Sequence, residues 1–175
     1  MQMIRFASLG SGSQGNALLV DAGKTKVLLD CGFSARITTA RLARLGTVPG
    51  DLAAIVVTHE HADHVAGVFA FARNYQLTVY LTHGTYVAAS KGRATLPVCR
   101  LINGHTCFAI GGLEVWPFPV PHDAREPVQY AFRDGQHCLG VLTDSGSITP
   151  HIVQVLGACD GLVLECNHDQ ALLAA

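Results

Sequence analysis

The stretch Thr58-His59-Glu60-His61-Ala62-Asp63-His64 puts three histidines and an aspartate, all of metal-ligating type, within six positions, where the hydrophobic pattern changes period. Upstream, Ala53-Ala54-Ile55-Val56-Val57 is a continuous apolar run that reads as a buried strand. Downstream, Val65, Val68, Phe69 and Ala72 recur at helical spacing, which predicts a helix from about Asp63 to about Tyr75. A strand-to-helix junction lets neighbouring side chains converge on two adjoining points, and imidazole with carboxylate suits Zn²⁺, with Mn²⁺ and Fe as other candidates. The plainer reading is a solvated helix start, at which Asp63 would favour the dipole. The density of ligand-type groups argues against it.

Composition limits the remaining choices. The chain has 175 residues, 49% hydrophobic and 14% charged, which suits one globular domain over 1–175 and excludes disorder. Its net charge of −1 excludes a strongly basic surface, so contact with nucleic acid would need a local patch or a bound metal. No apolar run approaches the ~18 residues of a spanning helix, and the N-terminus lacks a signal-peptide pattern, so no membrane association and a cytoplasmic location are expected. The six cysteines form no Cys-x-x-Cys pair and mostly lie in apolar runs, as small core residues do.

Along the chain, a strand from Ile4 to Leu9 enters Gly10-Ser11-Gly12-Ser13-Gln14-Gly15-Asn16. A glycine-rich loop can cradle phosphate, but the segment after it, Ala17 to Asp21, reads as a strand, and no Gly-Lys-Ser/Thr follows. A hairpin with positive φ values is the competing reading. Lys26–Asp30 reads as a third strand and Ala35–Leu45 as a helix, with Ser34 as N-cap and Gly46 as C-cap. Leu77–Thr82 is a strand and Thr85–Ser90 a short helix; His83 and His105 read as loop or cap residues. Strands are predicted over Thr106–Ile110, Leu113–Phe118, Val128–Arg133 and His137–Leu142, the last two joined by a two-residue Asp134-Gly135 turn. Thr149 caps a helix to Leu156 with Pro150 at its first position and His151 facing solvent, and a buried strand follows over Gly161–Cys166.

His-x-His-x-Asp-His resembles the signature of the metallo-β-lactamase fold superfamily. The series Leu-Gly-Ser-Gly-Ser-x-Gly-Asn, Asp-Cys-Gly-Phe-Ser, Thr-His-Glu-His-x-Asp-His, Pro-x-Pro-His-Asp, Thr-Asp-Ser-Gly and Glu-x-Asn-His-Asp narrows the resemblance to its WalJ-type (YycJ-like) branch of metal-dependent exonucleases acting on DNA ends. The resemblance implies an α/β fold, an αββα four-layer sandwich, and one or two divalent ions, Zn²⁺ or Mn²⁺. It assigns His59, His61 and His122 to one ion, Asp63 and His64 to a second, and Asp144 as a bridge between them. Asp30 is then a candidate for supporting the ligand shell, with a turn role as the alternative. Ser11, Ser13, Asn16 and His168 become candidates for holding phosphate; for His168 a structural role is equally open. The family carries a further His beyond the Glu165 segment, so the second site and second half of the sandwich are expected to be incomplete here. An exposed sheet edge and a homodimer are expected with that.

The implied chemistry is hydrolysis of a DNA phosphodiester by a metal-activated hydroxide, water's pKa falling to ~7, with Asp63 and Asp144 positioning it and taking its proton. Two alternatives remain at this stage: hydrolysis of a thioester or lactam on the same metals, and a metal-binding but inactive chain.

Overall fold

The computed structural model describes residues 3–165. One sheet runs β1 (Arg5–Gly10), β2 (Ala17–Ala22), β3 (Thr25–Leu29), β4 (Leu52–Val56), β5 (Thr78–Thr82) and β6 (Cys99–Ile102) in that order. Its first three strands are antiparallel and β3 through β6 parallel. The second sheet has the order β11 (Gly161–Leu164), β10 (Cys138–Leu142), β9 (Val128–Arg133), β8 (Leu113–Pro119), β7 (Phe108–Ile110). Only β10 and β11 pair in parallel there.

The layers follow from which face each side chain takes. In β2, Leu18, Val20 and Ala22 meet Leu113, Val115, Tyr130 and Phe132 of the facing sheet, while Ala17 and Leu19 turn toward the helices. Both faces of the inner strands are therefore covered, which is why β4 reads as an unbroken apolar run, while the edge strands β1 and β6 stay partly exposed. Outside it lie α1 (Ala35–Ala43), α3 (Val68–Tyr75) and α4 (His83–Ser90), and on the second sheet α5 (Pro150–Leu156), whose Ile152 packs on Phe118 and Leu142. This is the expected αββα sandwich. Among the described residues no helix is long and apolar enough to cross a membrane.

Several local expectations change. The helix expected from Asp63 to Tyr75 is two: α2 (Ala62–Val65) and α3, broken at Gly67. The Gly67 N–H donates to Cys31 O at 2.8 Å, and a Cβ there would collide with the Phe33 carbonyl, so a tertiary contact overrides the helical ladder. Strand β6 has no counterpart among the predicted strands. The β9–β10 connection spans four residues rather than two, because Asp134 Oδ1 accepts from the Gln136 and His137 amides (2.9 and 2.7 Å). Helix α1 ends at Ala43, two residues early. Strand β11 is half exposed rather than buried, with Leu162 and Leu164 at 45% and 50% exposure on the edge of the described sheet.

Candidate metal centre

Every element of the site meets the others at the carboxyl ends of strands. Asp30 follows β3, Thr58 and His59 follow β4, His122 follows β8 and Asp144 follows β10. Backbone hydrogen bonds knit these loops together. The Asn16 N–H donates to Asp63 O (2.7 Å), Cys31 N–H to His64 O (2.8 Å) and Gly32 N–H to Asn16 O (3.0 Å). Across the sandwich, Tyr130 Oη donates to Val57 O (2.7 Å), Val128 N–H to Thr58 O (3.1 Å) and Gly146 N–H to Pro121 O (2.6 Å). The last of these ties the His122 loop to the Asp144 loop.

Three ring nitrogens converge. His59 Nε2 lies 3.0 Å from His61 Nδ1, and His122 Nε2 lies 3.2 Å from both. Tetrahedral Zn–N bonds of about 2.0–2.1 Å set neighbouring nitrogens about 3.3 Å apart, so this triangle fits such an ion. Beside it, His64 Nε2 stands 3.1 Å from Asp144 Oδ2 and 3.4 Å from Asp63 Oδ2. His59, His64 and Asp144 form the second group able to hold an ion.

The outward nitrogens decide the tautomers. His64 Nδ1–H donates to Asp30 Oδ2 (2.8 Å), which also accepts from Thr58 Oγ1 (2.9 Å), while Asp30 Oδ1 accepts from the Thr58 N–H (2.8 Å). Thr58 Oγ1 in turn accepts from His59 Nδ1–H (2.9 Å). His61 Nε2–H faces Asp123 O (3.3 Å), and His122 Nδ1–H faces Asp123 Oδ1 (3.1 Å). In their neutral forms all four imidazoles therefore aim bare nitrogens inward, the arrangement a cation requires. Asp144 Oδ2 is buried beside His64 Nε2, which carries the second proton of the imidazolium in the ion-free chain; with that proton gone the oxygen has no hydrogen-bond donor among the described residues and lies open to a cation. Such an orphaned carboxylate oxygen fits a cation and little else.

The charges agree. Burial opposes the His64 imidazolium, but the Asp30 carboxylate and then Asp144 outweigh it and raise its pKa to about 10. Burial first, then the charge of His64, drives His59 down to about 4. The Asp144 carboxyl is held well below the usual carboxylate range by His64. The cluster thus attracts a positive charge, which a proton on His64 supplies in the ion-free chain and a metal would replace.

The candidate phosphate-holding residues divide. Asn16 is buried and turned inward: its Oδ1 accepts from the Gly12 N–H (2.9 Å), which orients Nδ2 toward Asp63 Oδ2 (2.9 Å) and His64 Nε2 (3.0 Å). Ser11 is exposed and lines a cavity of about 240 Å³ shared with Asn16, Asp30 and Thr143. Ser13 is exposed on the side of the loop toward Phe33 and Arg41. His168 lies outside the described residues. The loop is the hairpin connection between β1 and β2, with left-handed φ at Gly12 (+119°) and Gly15 (+147°). Thr58 and the Asp123 carboxylate escape a reading of the sequence; adjacency to His59 and His122 is their only signal.

Comparison with known proteins follows the same line. A family described as Beta-lactamase superfamily domain matches residues 25–172. Exodeoxyribonuclease YycJ of Bacillus anthracis is 34% identical over 97% of this chain and 65% of its own length. Exodeoxyribonuclease WalJ of Streptococcus pneumoniae is 32% identical over 97% of this chain and 64% of its own. The chain thus spans just under two thirds of these relatives. Among solved structures, the metallo-beta-lactamase fold protein YhfI of Bacillus subtilis superposes with a TM-score of 0.76 at 20% identity, over 96% of this chain and 73% of its own.

Proposed function

The chain belongs to the β-lactamase superfamily, in its metallo-β-lactamase fold, and from that premise we propose that it is a metal-dependent phosphodiesterase acting on DNA as an exonuclease. The names of its exodeoxyribonuclease relatives support the substrate. The triangle of His59, His61 and His122 ring nitrogens, with His64 Nε2 and the buried Asp144 Oδ2 beside it, carries the hydrolytic reading. In it, His59, His61 and His122 hold one divalent ion, Zn²⁺ or Mn²⁺, and Asp63, His64 and Asp144 hold a second. When bound, such ions supply Lewis-acid charge to a phosphoryl oxygen and bring the pKa of water to about 7. With His64 and His59 neutral, Asp30 and Thr58 keep their protons on the outer nitrogens, so no imidazole proton enters the cleft. Asp63 and Asp144 orient the attacking water and accept its proton, and Ser11, on the open rim, contacts the phosphate. We read residues 1–175 as one domain acting in the cytoplasm, and the chain as a homodimer.

The test is hydrolysis of 5′-labelled DNA with added Mn²⁺ or Zn²⁺, beside a glutathione thioester and a lactam chromogen. His59→Ala and Asp144→Ala each lower DNA hydrolysis by about a hundredfold or more. Activity retained in both variants, or faster turnover of the thioester, would overturn the proposal.

A further inference from the structure

Charge is segregated along this chain far beyond what its net value of −1 suggests. Residues 31–50 and 64–113 hold seven of the twelve Lys and Arg and none of the thirteen Asp and Glu, leaving five cations and thirteen anions elsewhere. Those two segments contain the helices over the first sheet. Arg36, Arg41 and Arg44 lie on or just beyond α1, Arg73 on α3, and Lys91 and Arg93 just after α4; the seventh, Arg100, reaches instead toward Tyr80. Among the described residues none of the six on the helices is ion-paired.

The elements that bear them form one continuous surface. Thr39 Oγ1 lies 3.0 Å from Tyr75 Oη, joining α1 to the end of α3. Arg73 donates to Thr95 O (3.0 Å), and the Arg93 guanidinium lies 4.8 Å from the Phe69 ring centre, joining α3 to the segment after α4. At its other side the surface adjoins the metal centre. Arg41 lies 3.9 Å over the Phe33 ring and donates to Leu9 O, and Phe33 is the ring on which Gly15 packs, one residue from Asn16.

An unpaired basic face on an otherwise acidic chain calls for a polyanion. We propose that this helix layer binds the phosphate backbone of the DNA whose end enters the metal centre. The inference rests on the reading of the protein as a hydrolase of DNA. It supplies the local patch that the composition requires: metals neutralise phosphate at the acidic cleft, and the helices neutralise it beyond.

Arg36, Arg44 and Lys91 are exposed and their side chains extend into solvent, so Arg36→Gln/Arg44→Gln/Lys91→Gln removes charge while leaving the core intact. Binding of fluorescein-labelled duplex DNA is measured by anisotropy in EDTA against salt concentration, with Lys24→Gln/Arg100→Gln as the control off this layer. The triple variant weakens binding at least about tenfold, and its log–log salt slope becomes shallower by about 0.9 for each phosphate that is no longer neutralised. Its hydrolysis of a small activated phosphodiester and its circular dichroism stay as in the unmodified chain. Should the triple variant misfold, the three single variants give the same readout in smaller steps. Unchanged affinity and slope, an equal loss in the control, or dependence on these residues for RNA or anionic vesicles but not DNA would overturn the proposal. Failure of the hydrolytic reading shows separately, as patch-dependent binding without DNA cleavage.

Discussion

Replacing Asp30 by Asn tests the metal centre without touching a ligand. Asp30 is 3% exposed and sits at φ +59°, a conformation that Asn tolerates as well as Asp, so the backbone need not move. Its Oδ1 can still accept from the Thr58 N–H, but the new Nδ2 faces two donors that Oδ2 now accepts, His64 Nδ1–H at 2.8 Å and Thr58 Oγ1–H at 2.9 Å. The least costly escape is for the His64 proton to move to Nε2, where it points at Asp144 Oδ2, 3.1 Å away, and occupies the space a cation needs. Loss of such an outer partner typically weakens metal affinity 10- to 100-fold, about 1.4–2.7 kcal/mol. Competition with a chromophoric chelator measures that affinity, and DNA hydrolysis at limiting metal should fall in proportion and recover as metal is raised. Asp30→Asn protein that binds metal as tightly as the unmodified chain would refute the assignment of tautomers on which the site is built.

Other consequences follow from single contacts. Tyr130→Phe leaves the Val57 carbonyl without its 2.7 Å donor in a fully buried place and should cost about 1–3 kcal/mol in denaturant unfolding. Chelation should lower the thermal midpoint, the bound ion contributing about 2.7 kcal/mol when its free concentration is a hundredfold above Kd, and readdition should restore it. The Asp134 carboxyl is held below its ordinary range, first by the His137 N–H and also by that of Gln136, so its stabilisation is present above the unfolded value of about 3.9 and lost as pH falls through the lowered folded value. Asp134→Ala should therefore be less stable than the unmodified chain near pH 6, with the gap closing in acid. Burial pushes the Cys31 thiol up to about 11, whereas Cys107 is exposed, so iodoacetamide at pH 8 should label Cys107 and spare Cys31, as mass mapping would report.

Much of the site is legible in the sequence because its chemistry is dense in one short segment. His59, His61, Asp63 and His64 declare themselves by type and spacing, and the apolar run before them with the helical period after them gives the junction. His122 and Asp144 carry no such local signal, and only the family resemblance joins them to the cluster. The surrounding partners are less legible for a physical reason: they act through contacts between segments remote in sequence. Asp30 reaches Thr58 and His64 from the end of another strand, and Asn16 turns inward because Gly12 and Asp63 hold both ends of its amide. The break at Gly67 is likewise imposed by the Cys31–Phe33 loop, which no local periodicity reveals. The charge segregation of the helix layer can be counted along the chain, but only the fold shows that its two segments share a surface.

The most direct test of the central claim is the metal content of the purified chain, measured by elemental analysis after dialysis against metal-free buffer. The account predicts one or two divalent ions per chain, with His59→Ala/His122→Ala losing the first of them while remaining folded. A folded chain that retains no stoichiometric metal, or a double variant that keeps the full complement, would contradict it.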